Sequence, residues 1–205
     1  MTGRFMSGVA QVSNLREATG CNPVPPKEDQ THRLRVAVSD DDWSRGPADA
    51  PVTLVEYADY ECPHCQAAYP VLEELLRAHA DRLRFVVRHF PVTSAHPRAA
   101  AAALAAEAAG RQGKFWEMHA RLFGDPGQLD PADLRRHARD LGLDRERFQE
   151  DLDDPRLARK IQEHRRQGLR SGVNGTPTLF FNGARYDGPR DLKSLSQAVE
   201  KTAED

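Results

Sequence analysis

The spacing of hydrophobic residues changes character along this chain, and each change marks an element. Val52-Thr-Leu-Val-Glu-Tyr-Ala58 is apolar on both parities, which predicts a β-strand covered on both faces. Pro63 then suits the first turn of a helix, and Ala68, Val71, Leu72, Leu75, Leu76 and His79 recur at helical spacing. Leu83 to Phe90 reads as a second strand, stopped by Pro91. Upstream, Leu34, Val36 and Val38 alternate with Arg33, Arg35 and Ala37, which predicts a further short strand. Asp40 to Ala50 reads as loop.

From Pro97 to about Arg170 the pattern is helical. An alanine-rich helix runs from Arg98 to Ala109 and stops at Gly110, and His96-Pro97 reads as its entry. Phe115, His119 and Leu122, widened by Trp116 and Phe123, mark the next helix, and Phe115 and Trp116 are expected in its core face. Asp130-Pro131, Asp144 and Asp154-Pro155 are cap signals for three more, with Gly142 ending the first and Leu157 and Ile161 facing inward on the last. After Gly172, Thr178 to Phe181 is a strand and Asn182-Gly183 a two-residue hairpin signal. Ala184 to Tyr186 returns, and Leu192, Leu195 and Val199 mark a closing helix. The order β–α–β, helical block, β–β–α predicts an α/β fold in four stretches. These are a flexible lead over 1–33, a first half over 34–96, an inserted helical cap over 97–171 and a second half over 172–205.

Composition narrows the function classes. Hydrophobic residues make up 39% of the 205 positions, and no stretch approaches the ~18 apolar residues of a membrane helix. A net charge of -2 gives no reason to expect nucleic acid or an anionic bilayer as partner. Met1 to Gln30 lacks the apolar core of a secretory signal, so a cytoplasmic location is expected, or an extracytoplasmic one if the coding start lies upstream.

The chemistry concentrates at cysteine. Cys21 stands alone in the polar lead and is expected to be a spare exposed thiol, whereas Cys62 and Cys65 bracket Pro63 and His64 where the first long strand turns into a helix. The thiolate, not the thiol, attacks a disulfide, and the free N–H groups and partial positive charge of a helix start favour it. Cys62 is therefore expected to face outward as the reactive thiol, and Cys65, one turn in, to resolve the mixed disulfide. His64 is expected to add donors and charge. A zinc half-site or a pair of merely buried thiols competes with this reading, but zinc wants four ligands, and His79, His89 and His96 lie at no zinc spacing. Neither metal nor cofactor is expected. Glu56 shares the parity of Val52, Leu54 and Ala58, so a buried carboxyl near Cys65, carrying protons during exchange, is expected. Gly175-Thr176-Pro177-Thr178 opens the later strand; local sequence favours a trans turn there, whereas a cis bond at Pro177 would leave the Thr176 carbonyl and N–H free to pair with an extended substrate beside the cysteines.

Taken together, Val52 to Tyr57, Tyr60-Glu-Cys-Pro-His-Cys65, His89-Phe-Pro91, Lys114-Phe-Trp116 and Gly175-Thr-Pro-Thr-Leu-Phe-Phe-Asn-Gly183 resemble the DsbA-type branch of the thioredoxin superfamily. The resemblance covers roughly Ala48 to Val199. It implies a thioredoxin fold with an inserted α-helical domain, a nucleophile at Cys62, a resolving thiol at Cys65 and a cis proline at Pro177. It also implies thiol–disulfide exchange with protein or peptide thiols and an unidentified redox partner, the oligomeric state being left open. The alternative is a cytoplasmic binding or holdase module in which the cysteine pair is incidental.

Overall fold

The computed structural model describes residues 33–204, so residues 1–32 of the polar lead, Cys21 among them, lie outside the described residues. The elements run β1 (Trp43–Arg45), β2 (Val52–Ala58), α1 (Pro63–Ala78), β3 (Leu83–His89), α2 (Ala99–Gly110) and α3 (Phe115–Gly124). They continue as α4 (Pro131–Asp140), α5 (Arg145–Asp153), α6 (Pro155–Arg170), β4 (Thr178–Phe181), β5 (Ala184–Tyr186) and α7 (Leu192–Glu204). One sheet holds all five strands in the order β1-β3-β2-β4-β5. The strand read as covered on both faces is its centre. β2 pairs in parallel with β3, from Val52↔Leu83 to Ala58↔His89, and antiparallel with β4, from Leu54↔Phe181 to Tyr57↔Thr178.

The two parities of β2 feed two cores. Val52, Leu54 and Ala58 join Leu72 and Leu75 of α1, Leu195 and Val199 of α7, and the buried alanines of α2. Val55 and Tyr57 face a smaller cluster with Val86, Phe90, Val173 and Phe180. Helix α6 covers that second face closely: a Cβ on Gly168 would sit 2.8 Å from the Phe90 ring and 3.0 Å from that of Tyr57. Asp144 and Asp154 accept from backbone N–H groups of the helices they precede, and Asp130 forms a capping box with Asp133. Asn182 (φ 44°) and Gly183 (φ 81°) both take left-handed geometry in the β4–β5 hairpin, as a tight two-residue turn requires.

The strand expected at Leu34 to Val38 does not form. The alternation survives as burial, with Leu34 and Val38 packed on the smaller core. The backbone, however, finds partners other than a ladder. The buried guanidinium of Arg88 donates to the carbonyls of Val36 and Ala37, both at 2.9 Å, while holding the Asp42 carboxylate with two bonds of 2.8 Å. The Arg35 N–H goes to Ser171 Oγ and that of Leu34 to the Gly183 carbonyl. The edge strand lies instead at Trp43–Arg45, inside the segment read as loop, pairing antiparallel with β3. Trp43 is drawn there by long-range contacts: it stacks on Phe115 at 4.7 Å and donates to Glu107 at 3.0 Å. Phe115 is thus core, as read from its helical spacing.

Candidate functional site

The site is built where β2 ends. Asp59 to Glu61 turn the chain, Cys62 is the N-cap of α1 with extended backbone, and Pro63 takes the first helical position, where a missing N–H costs nothing. Cys62 and Cys65 are both free thiols and both buried. The outward-facing Cys62 expected from its position is corrected here: it is only 4% exposed, because the loop before β4 closes over it. Its Sγ lies 3.3 Å from the Thr176 carbonyl, a contact across 114 residues of chain. The Thr176–Pro177 bond is cis.

The two thiols are driven apart electrostatically. Cys62 is lowered to about 5, first by a hydrogen bond from the Cys65 thiol and then, against the cost of burial, by the Thr176 hydroxyl and the backbone N–H groups of Cys65 and His64. Thr176 Oγ1 is buried and has no other hydrogen-bond partner, so it is a donor in reserve for that sulfur. Cys65 is raised well above the usual thiol value by burial, by the same hydrogen bond and by the nearby charge of Glu56. The His64 side chain is exposed, and its backbone N–H bonds to the Cys62 sulfur. Glu56 is buried, 2% exposed, on β2 below the cysteines, and desolvation pushes its carboxyl up to about 8.

Sequence reasoning missed the group that holds the turn. Asp59 is buried and accepts from Glu61 N (2.9 Å), from Val92 N (2.8 Å) and from His96 Nδ1 (2.8 Å). Glu61 accepts from the backbone and side chain of Arg98, at 2.7 and 2.8 Å, tying the same turn to the start of α2. Beneath lies a floor of rings in which Tyr60 meets His119 by a 3.0 Å hydrogen bond and packs on Phe123. A local signal existed for Asp59 alone, since an aspartate two residues before a turn N–H is the Asx pattern. His96, read as a helix entry, had none.

A five-stranded sheet with a parallel β–α–β start, a cysteine pair at the first helix and a cis proline opposite it defines a thioredoxin-type protein with helices inserted between β3 and β4. A family model described as Thioredoxin matches residues 39–201. A thioredoxin-like oxidoreductase from Silicibacter pomeroyi superposes with a TM-score of 0.74 at 30% identity, covering 82% of this chain and 95% of that one. The thiol-disulfide exchange protein alpha-DsbA2 from Wolbachia pipientis gives 0.70 at 21% identity, covering 84% and 88%. BdbD from Bacillus subtilis gives 0.71 at 22%, covering 79% and 92%. The chain belongs to the thioredoxin family and has the DsbA-type fold of these structures.

Curated relatives add a different context. The chain is 51% identical over 167 residues to the Na(+)/H(+) antiporter NhaA 3 of Salinispora tropica and 42% identical over 178 residues to NhaA 1 of Mycolicibacterium vanbaalenii. It spans only 26% and 29% of their lengths. The expected cytoplasmic location is overturned by this finding, because these relatives are membrane proteins and the matched region is one part of each. Among the described residues no helix is long and apolar enough to cross a membrane.

Proposed function

We propose that this chain is a protein thiol–disulfide oxidoreductase in which Cys62 is the nucleophile and Cys65 the resolving thiol. One observation carries the reading: two neighbouring buried thiols at a helix start are displaced in opposite directions, Cys62 down to about 5 and Cys65 up. At neutral pH the pair is one thiolate and one thiol sharing a proton.

The Cys62 thiolate attacks one sulfur of a substrate disulfide, forming a mixed disulfide and expelling the other sulfur as a thiolate. Cys65 then gives up its proton and attacks Cys62 Sγ. The substrate leaves as a second thiolate, two electrons having passed to it, and the Cys62–Cys65 disulfide remains. Glu56 is the acceptor that suits the Cys65 proton: it is buried, its charge acts on Cys65, and with a pKa of about 8 both its forms are accessible near neutrality. Thr176 and Pro177 supply the edge along which an extended substrate lies, the Thr176 carbonyl, 3.3 Å from Cys62 Sγ, being a free acceptor once Cys62 is a thiolate. The reverse sequence oxidises a dithiol. A lowered Cys62 stabilises the reduced pair, which makes the disulfide an oxidant. The complementary reactant is a protein thiol or disulfide, and a separate redox partner resets the pair.

The test is turnover of a model disulfide protein by the wild type, Cys62→Ser and Cys65→Ser. Cys65→Ser is expected to accumulate a mixed disulfide through Cys62, and Cys62→Ser to be inert. Exchange retained in Cys62→Ser, or no exchange by the wild type above a small-dithiol background, overturns the assignment.

A further inference from the structure

Building on this exchange reading, we propose that His96, fixed by the buried carboxylate of Asp59, is a positioning residue for Cys62, whose imidazolium balances the thiolate and loosens its own proton when the disulfide forms.

The Asp59 side chain is fully buried and meets the imidazole of His96, 18% exposed, at 2.8 Å. The other two bonds to this carboxylate come from backbone N–H groups. Those bonds are to Glu61 and Val92, so Asp59 joins the active-site turn to the segment after β3 that carries His96. The Asp59 backbone belongs to the site as well: its carbonyl accepts from Cys62 N at 3.2 Å, and its N–H meets the Cys65 sulfur. One residue thus fixes the imidazole and the cysteine turn in a single frame.

Asp59, Cys62 and Glu61 of the turn act on His96, and Arg98, which precedes α2, is paired with Glu61 at 2.8 Å. When Cys62 is a thiolate, Asp59 and Cys62 together present two negative charges to His96. Burial by itself lowers His96, but the Asp59 bond and the charges of Asp59, Cys62 and Glu61 raise it above its usual value. Interaction between two ionisable groups is reciprocal. If the thiolate favours the imidazolium, the imidazolium favours the thiolate to the same extent. The disulfide carries no charge, so His96 must hold its proton less firmly in the oxidised protein.

The experiment is an NMR titration of the His96 ring in the full chain, reduced and oxidised, paired with thiolate titration of Cys62 by pH-dependent alkylation in the wild type and in His96→Gln. His96 is expected to titrate at higher pH in the reduced protein, and the difference is expected to vanish in Cys62→Ser. His96→Gln is expected to leave about three- to tenfold less Cys62 thiolate below the midpoint, the range for a partly screened charge pair. A tenfold loss would shift the potential by about 30 mV in the reducing direction. Identical His96 titrations in both redox states overturn the proposal, and this measurement needs no variant that might fail to fold. If Cys62 exchanges normally while His96 is indifferent to redox state, the coupling alone fails. If His96 responds but no protein disulfide is exchanged, the coupling stands and the exchange reading fails.

Discussion

Replacing Glu56 by glutamine removes an ionisable group from beneath the cysteines while keeping its size. In the folded chain this carboxyl holds its proton up to about 8, because ionising it inside the sheet forfeits hydration; its ordinary value is 4.5. Between those two values the native state binds a proton that the unfolded chain has released, so stability must fall as pH rises through this window. The gap of about 3.5 units at about 1.4 kcal/mol per unit sets a ceiling of about 5 kcal/mol. In the reduced protein Cys62 opposes this. Its thiol titrates near 5 when folded against an ordinary 9, so the reduced form gains stability from pH 5 to 9. Oxidation removes that opposing group. The buried imidazoles of His119 and His164, both lowered by burial, also add stability as pH rises toward 6.5, but they are common to wild type and Glu56→Gln, so the difference between the two proteins isolates Glu56. The assay is urea unfolding of both oxidised proteins at several pH values between 4.5 and 8.5. Relative to Glu56→Gln, the wild type is expected to lose several kcal/mol across the range, so that the variant is the more stable protein at the alkaline end. The same variant is expected to resolve mixed disulfides more slowly, since Cys65 loses its proton acceptor. Parallel pH curves for the two proteins, or unchanged resolution kinetics across pH, would refute the placing of a neutral carboxyl at this depth and its role.

Three further outcomes are expected. The Cys62–Cys65 pair should be more oxidising than thioredoxin's by about 60 mV, the equivalent of a thiol near 5 against one near 7, and equilibration with glutathione followed by mass analysis measures it. Glu107→Gln should destabilise the chain by about 3–5 kcal/mol, because this buried carboxylate serves Trp43, His89 and Lys160 at once. Burial would raise Glu107, but His89 and Lys160 hold it at about 2, so the wild type keeps this stabilisation above pH 4.5 and loses it as pH falls toward 2, which acid unfolding of wild type and variant will show. Gly110→Ala should cost about 1–3 kcal/mol in chemical denaturation despite alanine's better helix propensity, since the new Cβ would stand 2.2 Å from the Trp43 ring.

Much of this protein is written in local patterns. The two-parity run Val52 to Ala58 could only be a central strand, the spacing of Ala68, Leu72 and Leu75 only a helix packed upon it, and Asn182-Gly183 only a tight turn. The cysteine pair was legible because its chemistry depends on a local feature, the start of a helix that follows a buried strand. The edge strand was not legible: three aspartates precede Trp43 and a Gly-Pro pair follows Arg45, and only the stacking with Phe115 and the bond to Glu107 bring that segment to the sheet. Alternation at Leu34 to Val38 reported burial correctly and pairing wrongly, because the carbonyls of Val36 and Ala37 are taken by Arg88, some fifty residues away. The helix start acts on Cys62 locally, but the other electrostatic partners of the site belong to the tertiary structure. Thr176 meets Cys62 across 114 residues, Asp59 meets His96 across 37, and the proton of Glu56 is held by the thickness of protein above and below one strand. Periodicity records which side of an element is dry; which charged group stands opposite which is set only when distant segments are brought together.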